Sequence, residues 1–112
     1  MKNFIIILML LLSTSLFSQT MEISDYNNDG ILEFLKYSDD GVLIEKGSLL
    51  NQKYHGIITT YYSNGDVKSI SKFNEGVKDG KWKIYNPEGY LTHEIVYEDN
   101  RRIQASITRY FD

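Results

Sequence analysis

The sequence predicts an all-β protein: a single-layer antiparallel meander of stacked β-hairpins, preceded by a helical leader. Three observations carry this expectation. The first is self-similarity at a shift of 24 residues. Tyr61 falls on Tyr37 and Tyr85, Gly65 on Gly41 and Gly89, Val67 on Leu43 and Leu91, and Phe73 on Leu49 and Tyr97. A fixed interval of this size marks an architecture in which each unit is one supersecondary motif. The second is turn chemistry between alternating apolar runs, recurring about every 8–12 residues, which is the pattern of an all-β chain. The third is that no stretch beyond the leader has apolar residues at helical spacing.

The N-terminal residues come first. Met1-Lys2-Asn3 supplies one positive charge, an unbroken apolar run extends from Phe4 to Leu12, and small polar residues follow to Ser18. The run is shorter than the roughly 20 apolar residues a membrane-spanning helix needs. It fits a secretory signal peptide over residues 1–18, cleaved after Ser18, with the repeat domain over 19–112. Export of the remainder to the periplasm or medium is the expectation, with no stable membrane anchor after cleavage. The chain has no cysteine, so stability in an oxidising space must come from packing, without disulfides.

Removal of Lys2 with the leader leaves 11 basic against 15 acidic side chains, a net charge of −4. This excludes a nucleic-acid partner, which requires a basic stripe, and disfavours anionic lipid.

The hairpin units are expected at about 32–55, 56–79 and 80–103, with a partial unit over 104–112. In the first clear unit, Ile31–Tyr37 is the opening strand, Asp39-Asp40-Gly41 the turn and Val42–Leu50 the return strand. Asn51 to Gly56 connects it to the next unit, and Gly56 and Gly80 open the second and third. Ile107 to Asp112 echoes Ile58 to Ser63, which leaves a last strand at a sheet edge. Edge strands favour self-association, and Arg101, Arg102 and Arg109 are charges that discourage it.

Pro87 selects the turn type. In Asn86-Pro87-Glu88-Gly89 a two-residue type I′ turn would force Glu88 to positive φ. A type I turn with Pro first and Gly as the left-handed residue needs no strain. Gly41, Gly65 and Gly89 then hold equivalent positions, and Tyr37 faces Leu43, Tyr61 faces Val67 and Tyr85 faces Leu91. Period-two alternation carried along the return strands places Leu49, Phe73 and Tyr97 on that same face. It is the expected core face, a ladder of stacked side chains. The opposite face then carries Phe34, Ile58 and Trp82, an apolar column with nothing to cover it. An aromatic contributes about 1.5–3 kcal/mol only when buried. Phe34, Ile58 and Trp82, with Tyr62, Tyr110 and Phe111, are therefore the expected partner-binding residues.

Gly80-Lys81-Trp82-Lys83-Ile84-Tyr85, Pro87-Glu88-Gly89-Tyr90-Leu91 and the connection Gly76-Val77-Lys78-Asp79-Gly80 resemble the MORN-repeat variant. Lys53-Tyr54-His55-Gly56 is similar to the same connection. The resemblance covers Glu33 to about Arg102. Ile58 and Phe34 replace the Trp, and Leu32 the opening Gly. It implies an open twisted meander used as an interaction scaffold, and bacterial chains of this kind are often labelled YwqK-type antitoxins.

Chemistry is sparse. Asp25-x-Asn27-x-Asp29-Gly30-x-x-Glu33 has oxygen ligands at alternate positions, the spacing of a loop that could wrap Ca²⁺. An EF-hand would need Glu at the position held by Lys36. The alternative is an ordinary Asn/Asp turn. His55 sits in a connection and His93 at a variable strand position. Neither has the nucleophile, base and orienting group that catalysis requires. The expected function is that of a non-enzymatic, cofactor-free exported scaffold that binds another protein. The alternatives are an antitoxin or immunity protein, and an extracellular Ca²⁺ or glycan binding module.

Overall fold

In the computed structural model, residues 5–11, 18–24 and 29–108 are described. They contain no helix. The strands are β1 (Ile5–Leu11), β2 (Ser18–Ser24), β3 (Ile31–Tyr37), β4 (Leu43–Leu50), β5 (Lys53–Tyr54), β6 (Gly56–Tyr61), β7 (Val67–Asn74), β8 (Val77–Lys78), β9 (Gly80–Tyr85), β10 (Leu91–Glu98) and β11 (Arg101–Ile107). They form one sheet in the order β1-β2-β3-β4-β6-β7-β9-β10-β11, with β5 paired to β4 and β8 to β7. Every pairing is antiparallel between chain neighbours or near neighbours, as a meander requires.

Of the leader expected as a helix, residues 5–11 and 18 are described. Ile5–Leu11 is a strand on β2, with Ile5 opposite Ser24 and Leu11 opposite Ser18. An apolar run rich in Ile satisfies its backbone equally well on a free sheet edge.

The long turns are those Pro87 requires. Gly41, Gly65 and Gly89 have φ of 82°, 93° and 94°. Their N–H groups donate to the carbonyls of Ser38, Tyr62 and Asn86 at 2.9, 3.0 and 2.9 Å. This is a type I turn closed by a left-handed glycine. Asn86 reinforces it, its Oδ1 accepting from the N–H groups of Glu88 and Tyr90. Tyr37 faces Leu43, Tyr61 faces Val67 and Tyr85 faces Leu91.

Immediately beyond each of these pairs the register shifts. Lys36 pairs with Glu45, Thr60 with Ser69 and Ile84 with His93, which leaves Ile44, Lys68 and Thr92 bulged. A bulge inserts one residue, and one residue reverses the facing of everything after it. The expected faces are therefore corrected. Leu49, Phe73 and Tyr97 lie on the face of Phe34, Ile58 and Trp82, and away from Tyr37, Tyr61 and Tyr85. Ring contacts between Phe73 and Trp82 and between Trp82 and Tyr97 show it directly. The core is there too. Phe34 and Ile58, expected to meet a partner, are each only 2% exposed.

The connection between units is itself a tight hairpin. Asn51-Gln52, Glu75-Gly76 and Asp99-Asn100 all have positive φ, which is the type I′ conformation. Leu50 pairs with Lys53, Asn74 with Val77 and Glu98 with Arg101 across them. The next segment hydrogen-bonds the following turn: Gly76 N–H donates to Tyr54 O at 2.7 Å and Asn100 N–H to Lys78 O at 2.9 Å. Gly56 and Gly80, at φ of 82° and 104°, then redirect the chain into β6 and β9. Gln104 follows Gly56 and Gly80 by the same interval and is not glycine. There β11 runs on as one strand from Arg101 to Ile107.

Candidate functional site

The first face carries a continuous band of rings contributed by five strands. Phe34 stacks on Tyr54 with centroids 5.9 Å apart and planes at 17°. Tyr54 meets Phe73 at 5.2 Å, Phe73 meets Trp82 at 5.0 Å, and Trp82 meets Tyr97 at 4.9 Å, all tilted by 52–57°. Tilted and offset pairs place the positive ring edge against a negative face, and each adds about 0.5–1.5 kcal/mol beyond burial.

Trp82 is held as well as packed, its Nε1–H donating to Lys72 O at 3.0 Å. Lys78 lies over the last two rings, its Nζ 5.3 Å from the centroid of Trp82 and 5.1 Å from that of Tyr97. A cation over a ring face is attracted by the ring quadrupole. Tyr54 and Lys78 hold equivalent places one unit apart. One covers rings with a ring, the other with a cation. The sequence reading left both in a connection; their shared 24-residue interval was the available signal.

Tyr54 also donates its hydroxyl to Glu45 Oε1 at 2.8 Å. Burial first, then the hydrogen bond and charge of Glu45, push its pKa up to about 12. A raised folded-state pKa means the fold favours the protonated phenol. Its stabilisation is whole below the ordinary tyrosine value near pH 10 and is lost as pH rises through about 12. The side chain is 37% exposed, so screening keeps the contribution to about 1 kcal/mol or less. Tyr54→Phe should therefore melt below wild type at pH 8. The gap should narrow steadily above pH 10, in parallel thermal melts; a pH-independent gap would assign the loss to packing alone.

The second face carries Tyr37, Tyr61 and Tyr85 with Leu43, Val67 and Leu91 at its long-turn end. Tyr62 donates to Tyr85 O at 2.7 Å, and Lys68 Nζ lies 5.7 Å from the Tyr62 ring centroid. Tyr62 therefore links adjacent hairpins. Farther along this face a groove of about 370 Å³ is lined by Glu22, Glu33, Leu35, Lys46, Ile57 and Thr59, among others. Its lining includes both signs of charge, from Glu22 and Glu33 and from Lys46.

No family model matches the chain, and neither does any curated protein or solved structure.

Of the Ca²⁺-loop positions, Asp25 and Asn27 lie outside the described residues. Asp29 Oδ1 accepts from Ile31 N–H at 3.0 Å, the local bond of an Asx turn, and Glu33 lies opposite Ser24 in the sheet. Among the described residues no three His, Cys, Asp or Glu side chains gather as metal ligands do. Tyr110 and Phe111 lie outside the described residues. His55 Nδ1 accepts from Glu75 N–H at 3.2 Å, and His93 Nδ1 shares a hydrogen bond with Thr92 Oγ1 at 2.9 Å.

Proposed function

We propose that this chain is an exported, non-enzymatic interaction scaffold of MORN-like hairpin units, and that it binds a protein partner on its first face. The supporting observation is the ring band from Tyr54 through Phe73 and Trp82 to Tyr97, with Tyr54 exposed, the other three rings half-buried, and Lys78 on top. Tryptophan and tyrosine are enriched in binding hot spots, where they bury large area at low entropic cost. Phe34 and Ile58 support that face from beneath and do not contact the partner. Supporting the unit assignment, both kinds of turn and the bulge recur at 24-residue intervals. A cognate exported toxin is one partner class that fits.

Trp82 packs two rings and a backbone carbonyl, so its removal would confound binding with folding. Position 78 tests the reading better. A photo-crosslinking amino acid at 78, in cells exporting the protein, should yield an adduct with one partner. The same group at Lys46, on the second face, should not. Equal labelling from both positions, or none from 78, would overturn the reading.

A further inference from the structure

The sheet has two ends, β11 and, behind β1, β2. We infer that, once residues 1–18 are removed, the outer edge of β2 takes β11 of a second copy, so that the exported protein assembles head to tail. This rests on the exported reading only in that removal of the leader uncovers β2.

The edge of β2 already holds an antiparallel strand. Ile5–Leu11 pairs along its whole length, from Ile5 opposite Ser24 to Leu11 opposite Ser18. β11 is also seven residues long, and all seven are exposed. Thr108 N–H donates to Thr92 O at 2.7 Å, so by alternation the N–H groups of Ala105 and Ile107 point away from β10. Unpaired outward groups on an exposed strand are a template for another chain.

Direction, surface and charge fit. The steps β2–β3, β3–β4, β4–β6, β6–β7, β7–β9, β9–β10 and β10–β11 are each antiparallel. Their number is odd, so β11 runs opposite to β2. A second copy continuing the sheet therefore meets the first in the antiparallel sense. On the first face β2 carries Met21 and Ile23, and β11 carries Ala105 and Ile107, opposite Ile95 and His93. Ile107 is 64% exposed and gains cover from such neighbours. Glu22 of β2 supplies negative charge to an edge that begins with Arg101 and Arg102. Pairing of β11 with another β11 would close at a dimer and leave β2 open; the heterologous contact satisfies both edges and extends.

The test expresses the full chain with its own leader and recovers the exported protein. Intact mass reports whether residues 1–18 are gone, and sedimentation velocity reports assembly. The expected result is loss of the leader and a concentration-dependent series running past the dimer. Ala105→Pro removes one outward N–H and no bond to β10, a substitution edge strands accept. It should hold the protein as a monomer with an unchanged melting temperature. A retained leader would overturn the exported reading and the inference together. A processed protein that stays monomeric or stops at a dimer would overturn the inference alone, as would Ala105→Pro that assembles like wild type. If Ala105→Pro melts early, Ala105→Glu, which adds negative charge to the edge that meets Glu22 of β2, should lower association by itself; unchanged association in that variant overturns the inference.

Discussion

Replacing Phe34 with Ala is expected to lower the unfolding free energy by about 3–5 kcal/mol, the usual cost of truncating a buried aromatic. Phe34 and Ile58 are the apolar side chains buried almost completely among the described residues, each at 2% exposure. The Phe34 ring supports Tyr54 at a centroid distance of 5.9 Å, so the first link of the band goes with it. Small domains have only about 5–15 kcal/mol in total, which makes one residue a large share. Urea titration should show a lower midpoint with an unchanged slope, the mark of lost stability without a change in the surface exposed. Tyr61→Ala, on the second face, should cost distinctly less. Equal losses at the two positions would mean that the core is not where Phe34 sits.

Gly47→Ala is the second large effect, and its sign is decided by space. Glycine in a strand normally costs roughly 0.5–1 kcal/mol relative to alanine, so a simple propensity argument predicts stabilisation. Gly47, however, lies opposite Phe34 in the ladder. An added Cβ would overlap Ile58 Cδ1 and would sit 3.2 Å from both Ile57 O and Phe34 Cε1. The carbonyl belongs to the backbone and cannot turn aside. Overpacking of this kind costs about 1–3 kcal/mol, which exceeds the propensity gain. Ile58→Val deletes the overlapping Cδ1 and nothing else. Gly47→Ala in that background should therefore cost measurably less than in wild type, with a coupling of about 0.5–3 kcal/mol in a double-mutant cycle. Strict additivity would remove Ile58 as the obstacle.

These two residues also show where sequence reasoning stopped. Gly47 carries no turn signal and faces a ring that is distant in sequence, so its role exists only once β3, β4 and β6 are side by side. The same holds for the bulges. Ile44, Lys68 and Thr92 share a position in the register and no chemistry, because a bulge is a mismatch between two strands and is not a property of one. Alternation carried through it placed Phe73 and Tyr97 on the wrong face, and with them the candidate binding surface.

What the sequence determined by itself is local. Asn86-Pro87-Glu88-Gly89 selects its turn through the fixed φ of proline and the freedom of glycine, and those constraints act within four residues. The pairs Tyr37–Leu43, Tyr61–Val67 and Tyr85–Leu91 follow from that turn. The tertiary structure alone decided which face is buried and that Lys78 tops the rings of Trp82 and Tyr97. Facing reverses with a single inserted residue, and whether one is inserted depends on the partner strand.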